Sequence, residues 1–430
     1  MPRGFHLLIA AQFASALADN ALLIVTIALL HQQGYPAWWA PLLKFAFTLA
    51  YVGLAPVVGP VADAMPKARL MAWMNALKVV GLLMLVGVLD PVAGPVPPVL
   101  AFAVVGLAAA AYAPAKYGLV TEIVPPERLV RANAWIEVSV VVAALMGTVL
   151  GGLLVSSVVV TSPASTTLAG VLAGLAMGSA GPFAASLLAL LAVYGLAAVL
   201  NLGIPDSGAR YPRAAVHPVA LVRHFRAANR VLWRDHGGGR LSLAVTTLFW
   251  GVGATLQFAV LLWAQAVLDL SLDQAAYLQA AVAVGVMAGA AFAGRHIALR
   301  EARRVLPLGI VLGALIPLVA STASLPLAAV LLAVTGAVGG VLVMPLNALL
   351  QHRGHTLITA GRSIAVQGFN ENLSVLVMLA GYAALLAVGM PIVTLMWAFG
   401  LAIGAAMAWL WWRDVRFGAH AGGPAPAERG

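Results

Sequence analysis

Apolar residues along this chain neither alternate nor form a one-sided stripe; they come in long runs separated by short polar segments. The first run, Leu7 to Leu30, is too long for a signal-peptide core and carries Asp19 in its middle, so it reads as a spanning helix. Further runs lie near Trp38 to Val61, Leu70 to Leu89, Pro98 to Ile123, Leu129 to Val159, Pro182 to Ile204, Leu241 to Leu268, Ala275 to Gly294, Val305 to Thr322, Leu325 to Leu350, Ile358 to Val388 and Pro391 to Trp412. A helix needs about 20 apolar residues to cross a bilayer, so the pattern predicts twelve transmembrane helices and an all-α polytopic membrane protein.

Composition agrees. Of 430 residues, 62% are apolar and 9% charged, against roughly 45–50% and about 25% in soluble domains. The chain has no Cys, which removes disulfides, thiol nucleophiles and thiolate metal sites. Its His residues form no closely spaced pair on an apolar helix, so neither metal nor cofactor is expected.

Charge gives orientation, because Lys and Arg are retained on the cytoplasmic side. Arg3, Lys67 and Arg69, Arg128 and Arg131, the run Arg210 to Arg240, Arg295 to Arg304, Arg353 and Arg362, and Arg413 onward fall before the first span or after even-numbered ones. Both termini are therefore expected in the cytoplasm, and the net charge of +10 reflects this asymmetry rather than nucleic-acid binding. The expected organisation is a six-helix bundle over 1–204, a basic cytoplasmic linker loop over 205–240, a second six-helix bundle over 241–417 and a disordered cytoplasmic tail over 418–430. The linker reads as a solvated connector touching anionic headgroups, with a regulatory site as the alternative. The apolar part of Thr161 to Gly181 is too short for a thirteenth span, which would also move the basic linker outside.

The halves echo one another. Tyr112-Ala-Pro-Ala-Lys116 near the end of span four corresponds to Val343-Met-Pro-Leu-Asn347 in span ten, and Phe13 to Asn20 corresponds to Phe249 to Gln257. Parallel six-helix repeats build major facilitator transporters. The loop Gly59-Pro-Val-Ala-Asp63-Ala-Met-Pro-Lys67-Ala-Arg69 resembles the signature loop of that superfamily. In it Gly59 permits close helix approach, and Asp63 can pair with basic residues to latch one conformation, with Lys67 and Arg69 as its cations. The fold expected is therefore the major facilitator fold.

Ionisable groups deep in a bilayer are costly and are kept for a use or a partner. Asp19 lies about twelve residues from either end of its span, roughly 18 Å deep at 1.5 Å per residue. Glu371 is similarly deep, flanked by Asn370 and Asn372 with Gln367 one turn earlier; Glu137 and Lys116 lie about two turns inside their spans. One reading is a set of interhelical ion pairs, with Asp19 and Lys116 as the obvious couple. The other is a bipolar central site that takes a substrate carrying both charges and an alkyl portion. Lys44 and Lys78 are close enough to span ends to snorkel and read as structural. Gly147-Thr-Val-Leu-Gly151 with Gly152 reads as a close helix contact, and Tyr35 to Trp39 and Trp409 to Trp412 as interfacial belts.

Several segments carry a closer resemblance: Ala11 to Leu23 around Asp19-Asn20, Ala110 to Gly118 around Lys116-Tyr117, Leu129 to Asn133 with Glu137, Leu248 to Gly251, Pro345 to Gln351 around Asn347, and Ile364 to Gln367 followed by Glu371-Asn372. In order and over nearly the whole chain, they resemble the bacterial lysophospholipid transporter family. The resemblance implies a multi-pass protein of the bacterial inner membrane. It also implies transport of lysolipids, chiefly 2-acyl-glycerophosphoethanolamine, from the outer to the inner leaflet by alternating access. A separate acyltransferase that is also an acyl-carrier-protein synthetase would then restore the second chain. Asp19, Asn20, Lys116, Tyr117, Glu137, Gln257, Asn347, Gln367, Asn370, Glu371 and Asn372 are the substrate-site candidates. Gln257 stands where the resemblance leads one to expect Arg, which removes a phosphate contact. A proton-coupled exporter of amphiphilic drugs shares the fold and stays open. No His–acid pair, nucleophile elbow or nucleotide-binding loop supports an enzyme.

Overall fold

The computed structural model describes residues 1–32, 34–35, 39–87, 96–174, 183–211, 217–270 and 272–418. The tail at 419–430, Arg213, the side chain of Lys44, and parts of the Tyr35 to Trp39 and Thr161 to Gly181 stretches lie outside them. The described residues form helices without strands.

The helices are α1 (Arg3–Gln32), α2 (Trp39–Gly53), α3 (Ala55–Ala64), α4 (Lys67–Gly87), α5 (Val96–Ile123), α6 (Leu129–Leu154), α7 (Ser157–Val160), α8 (Pro163–Gly174) and α9 (Ala184–Leu202). After α10 (Pro218–Arg234) come α11 (Gly239–Val267), α12 (Leu272–His296), α13 (Pro307–Ala320), α14 (Leu325–Leu357), α15 (Ala360–Ala387) and α16 (Ile392–Gly418). Among the described residues eleven helical stretches are long and apolar enough to cross a membrane, α13 being counted with the helical turn Leu299–Val305 that precedes it; α2 and α3, bent by 67° at Leu54, bring the number to twelve. Pro56 explains the break, since it donates no N–H to the Val52 carbonyl four residues back and its ring clashes with that carbonyl, so α2 cannot run on through it. Pro114 and Pro345 sit inside α5 and α14 at the two positions of the internal echo.

The chain divides into two compact units. The first holds residues 1–124, 139–226 and 358–369; the second holds 125–138, 227–357 and 370–430. In the first, Leu22, Val25, Leu82, Phe102, Leu190 and Tyr194 from α1, α4, α5 and α9 form the core. In the second, Trp263, Leu306, Ile316, Leu332, Leu346 and Met396 do so, and the Trp263 indole donates to the Ala320 carbonyl at 3.2 Å.

Lipid is as apolar as leucine, so close van der Waals packing of small residues must hold such helices together. A Cβ on Gly147 would stand 2.5 Å from the Leu17 carbonyl oxygen, and one on Gly151 2.7 Å from Ile24 Cβ, which seats α6 against α1. The α12–α14 seam is tighter. There Gly285 and Gly289 meet the backbone of Ala333 and Ala337, while Gly336 and Gly340 meet that of Val282 and Val286, with no room for a side chain. Large apolar side chains such as Val149, Leu153, Leu202 and Leu401 point outward.

The linker is not wholly a loop, as expected above, because α10 occupies residues 218–234. Arg226, Arg230 and Arg234 recur every fourth residue and are exposed, whereas Ala228 and Leu232 are buried. That spacing is a helical face.

Candidate functional site

The first unit holds a polar network around Asp19. Ser15 and Asp19, four residues apart, share a face of α1, while Asn75 and Lys78, three apart, share a face of α4. The Lys78 ammonium donates to Asp19 Oδ2 at 2.6 Å and to Ser15 Oγ at 2.8 Å; Ser15 donates in turn to Asn75 Oδ1 at 2.8 Å. The Tyr194 hydroxyl donates to Asp19 Oδ1 at 2.8 Å. Lys78 Nζ also stands 5.4 Å and 5.8 Å from the ring centroids of Tyr112 and Tyr194. The Lys78 side chain is 2% exposed and that of Asp19 18%. This corrects two expectations: Lys78 does not snorkel, and it, rather than Lys116, is the ion-pair partner of Asp19. The missed signal was depth, for Lys78 lies eleven residues into α4, near its midpoint.

Lys116 is bound elsewhere in the same unit. Its ammonium donates to Gln12 Oε1 at 3.3 Å and stands 4.3 Å from the centroid of the Tyr117 ring, and Gln12 donates to Ser139 Oγ at 2.8 Å. Asn20 donates to the Ala16 carbonyl at 2.8 Å, within its own helix. Gln367 belongs to this unit and is buried.

The Gly59–Arg69 segment, expected as a loop, is helical except at Met65 and Pro66, where α3 passes into α4, and it too is held in this unit. Asp63 accepts the Gly361 N–H at 2.9 Å and the Thr359 hydroxyl at 2.5 Å, so its carboxylate lies at the N-terminus of α15, the positive end of the helix dipole. Lys67 lies 3.7 Å from Asp63 and 2.5 Å from Glu122, a residue not singled out from the sequence. Glu122 accepts hydroxyl hydrogen bonds from Ser207 at 2.5 Å and Tyr211 at 2.9 Å. Burial and the Glu122 carboxylate push the Tyr211 hydroxyl above its ordinary range, so it stays protonated and donates. Gly59 is required by contact, since a Cβ there would lie 2.8 Å from Arg362 Cα. Arg69 is exposed.

The second unit holds the remaining candidates. Asn370 donates to Asn229 Oδ1 at 3.0 Å and accepts from the Trp233 indole at 3.2 Å, both on α10. Glu371 and Asn372 follow on α15, half-buried; Glu137 and Asn347 are buried, and Gln257 is exposed, its backbone carbonyl accepting from Gln279 at 2.9 Å. Asn133 and Gln351, both buried, face each other as a reciprocal amide pair with two hydrogen bonds of 2.9 Å. Among the described residues no group of three or more His, Asp or Glu could hold a metal.

The helical architecture and this loop can be set against known proteins. The family model of the Major Facilitator Superfamily matches residues 8–377. Lysophospholipid transporter LplT of Citrobacter koseri is 39% identical over 96% of this chain and 96% of its own, and its namesake in Yersinia enterocolitica is 40% identical over 91% and 90%. The chain belongs to the lysophospholipid transporter family of the major facilitator superfamily. Solved structures agree in fold. The Escherichia coli fucose:proton symporter FucP superposes with a TM-score of 0.70 at 14% identity, covering 95% of this chain and 98% of that one. A bacterial homologue of the iron transporter ferroportin, outward-facing, gives 0.70 at 15% identity over 96% and 100%. The human organic anion transporter MFSD10 gives 0.68 at 15% over 95% and 100%. This member of the family is a multi-pass membrane transporter and not an enzyme.

Proposed function

We propose that this transporter carries lysophospholipids, chiefly 2-acyl-glycerophosphoethanolamine, from the outer to the inner leaflet of a bacterial inner membrane. The observation that carries the reading is Asp19: a carboxylate midway along a spanning helix, anchored by Lys78 and Tyr194 yet keeping 18% of its side chain exposed. A buried charge is costly unless it is paired, and one left partly accessible in mid-membrane is placed to meet a cationic group. The relatives named for lysophospholipid transport, 37–40% identical, support the substrate class.

In this reading the headgroup ammonium shares Asp19 with Lys78 and meets Glu371. Asn20 and Asn372 hydrogen-bond beside these carboxylates, Lys116 with Tyr117 takes the phosphate, and the acyl chain lies against apolar helix faces. Glu137, Asn347, Gln367, Asn370 and Gln257 line the route. The halves alternate access, with the Gly59, Asp63, Lys67 and Arg69 loop holding one state. Both termini face the cytoplasm, where a separate acyltransferase acyl-carrier-protein synthetase consumes the product.

Uptake of radiolabelled lysophosphatidylethanolamine by spheroplasts lacking their own transporter tests this. Expression of the protein restores uptake, and Asp19→Asn abolishes it while the protein remains inserted. Uptake by Asp19→Asn equal to that of the parent removes Asp19 from the site. Export of an amphiphilic cationic drug without any lysolipid uptake moves the function to drug extrusion.

A further inference from the structure

The second unit contains a cavity of about 240 Å³ lined by none of the residues considered so far for transport. Its charged lining comes from four helix ends: Asp235 just after α10, Arg240 at the start of α11, Arg303 in the short helical turn before α13, and Arg413 and Asp414 at the end of α16. The asymmetry of basic residues assigns those ends to one membrane face. Trp233 and Trp409 supply aromatic walls, the side chains that settle at the headgroup level of a bilayer. Gly238, whose φ of +123° favours glycine, turns the chain between α10 and α11 and brings Arg240 to the wall.

The charges around the cavity do not balance. Arg303 is paired with Asp414 at 3.3 Å and donates to the His236 carbonyl at 3.2 Å. Asp235 is used by Arg353, which lies outside the cavity, through bonds of 2.6 Å and 3.0 Å. That leaves Arg240 and Arg413. Both are half-buried, and neither has a carboxylate partner among the described residues; Arg413 only rests over the Trp409 ring, 4.7 Å from its centroid. Two guanidinium groups facing one partly enclosed space repel each other until an anion lies between them. Guanidinium donors match phosphate oxygens in pairs, and the volume far exceeds the roughly 30 Å³ of one water.

We propose that the Arg240–Arg413 cavity binds a phosphate group, the chemistry shared by a phospholipid headgroup at the membrane surface and by inorganic phosphate. The cavity shares no lining residue with the transport candidates, though its Trp233 wall donates to Asn370 at 3.2 Å, and the proposal does not depend on the identity of the cargo.

The test uses the purified full-length protein in detergent with tritiated dihexanoyl phosphatidylglycerol as probe. Saturable binding is expected, weakened at least tenfold in Arg240→Gln/Arg413→Gln. It should stay within twofold of the parent in Arg416→Gln, whose guanidinium lies over Trp412 outside the cavity, and in Asp19→Asn. Single Arg240→Gln and Arg413→Gln variants, each expected to lose part of the affinity, serve where the double variant does not fold. Competition by millimolar inorganic phosphate assigns the site to free phosphate; competition by phospholipid alone assigns it to the headgroup. Absence of saturable binding, equal binding by the double variant, or loss of binding in Asp19→Asn overturns the proposal.

Discussion

Replacing Lys78 by methionine keeps most of the side chain's length and removes the charge that faces Asp19. In the native protein the two groups lie 2.6 Å apart, with the lysine side chain 2% exposed. Removing one partner of a buried pair costs about 3–5 kcal/mol, because the other charge is left without compensation. Here Asp19 keeps the Tyr194 hydroxyl at 2.8 Å and some exposure, which places the expected cost near the lower end, about 3 kcal/mol. Asp19→Asn in the same background removes the orphaned charge and leaves an acceptor for Tyr194, so the double variant should recover to within about 1 kcal/mol of the parent. Asp19→Asn alone orphans the Lys78 ammonium, 2% exposed, so in this double-mutant cycle the double variant should be destabilised by less than either single variant. Equilibrium unfolding in mixed micelles, followed by helical circular dichroism, reads it. Equal stability of Lys78→Met and the double variant would show that Lys78 does not hold Asp19 as an ion, and the reasoning would fail.

Three further outcomes follow from the geometry. Asn133→Leu alone strands the buried Gln351 amide and should destabilise by about 1–3 kcal/mol, whereas Asn133→Leu/Gln351→Leu should recover most of that in the same unfolding assay. Gly59→Val would drive its side chain into Arg362 Cα, so its yield of folded monomer in size-exclusion chromatography should fall well below that of Gly53→Val, a position with open space around it. For Asp235, burial pushes the carboxyl up, but Arg353 and the Gly239 and Gly237 amides outweigh it and hold the group below its ordinary 3.8. A carboxyl depressed in the folded state stabilises fully above its unfolded value and loses that contribution as pH falls through the folded one. Acid titration of the melting temperature should therefore show a steeper loss below about pH 3.8 in the parent than in Asp235→Asn.

The sequence by itself determined the helical class, the number of spans, the basic bias of one set of loops and the depth of Asp19. These depend on run length and on position along a helix, quantities measured in one dimension. The face pattern of α10 was equally legible in the fourth-residue spacing of Arg226, Arg230 and Arg234, yet a charge-rich stretch read by composition alone passes for a loop. Only the tertiary structure decided which charge meets which. Asp19 finds Lys78 across 59 residues, Asn133 finds Gln351 across 218, and Asp63 finds the start of α15 across 298. The partner of a buried charge depends on which helix lies beside it, and in a membrane that choice is made by backbones close enough to touch, as at Gly147 of α6 against α1 and along the glycine seam of α12 and α14. Apolar periodicity is the same for every helix surrounded by lipid, so it cannot tell one neighbour from another.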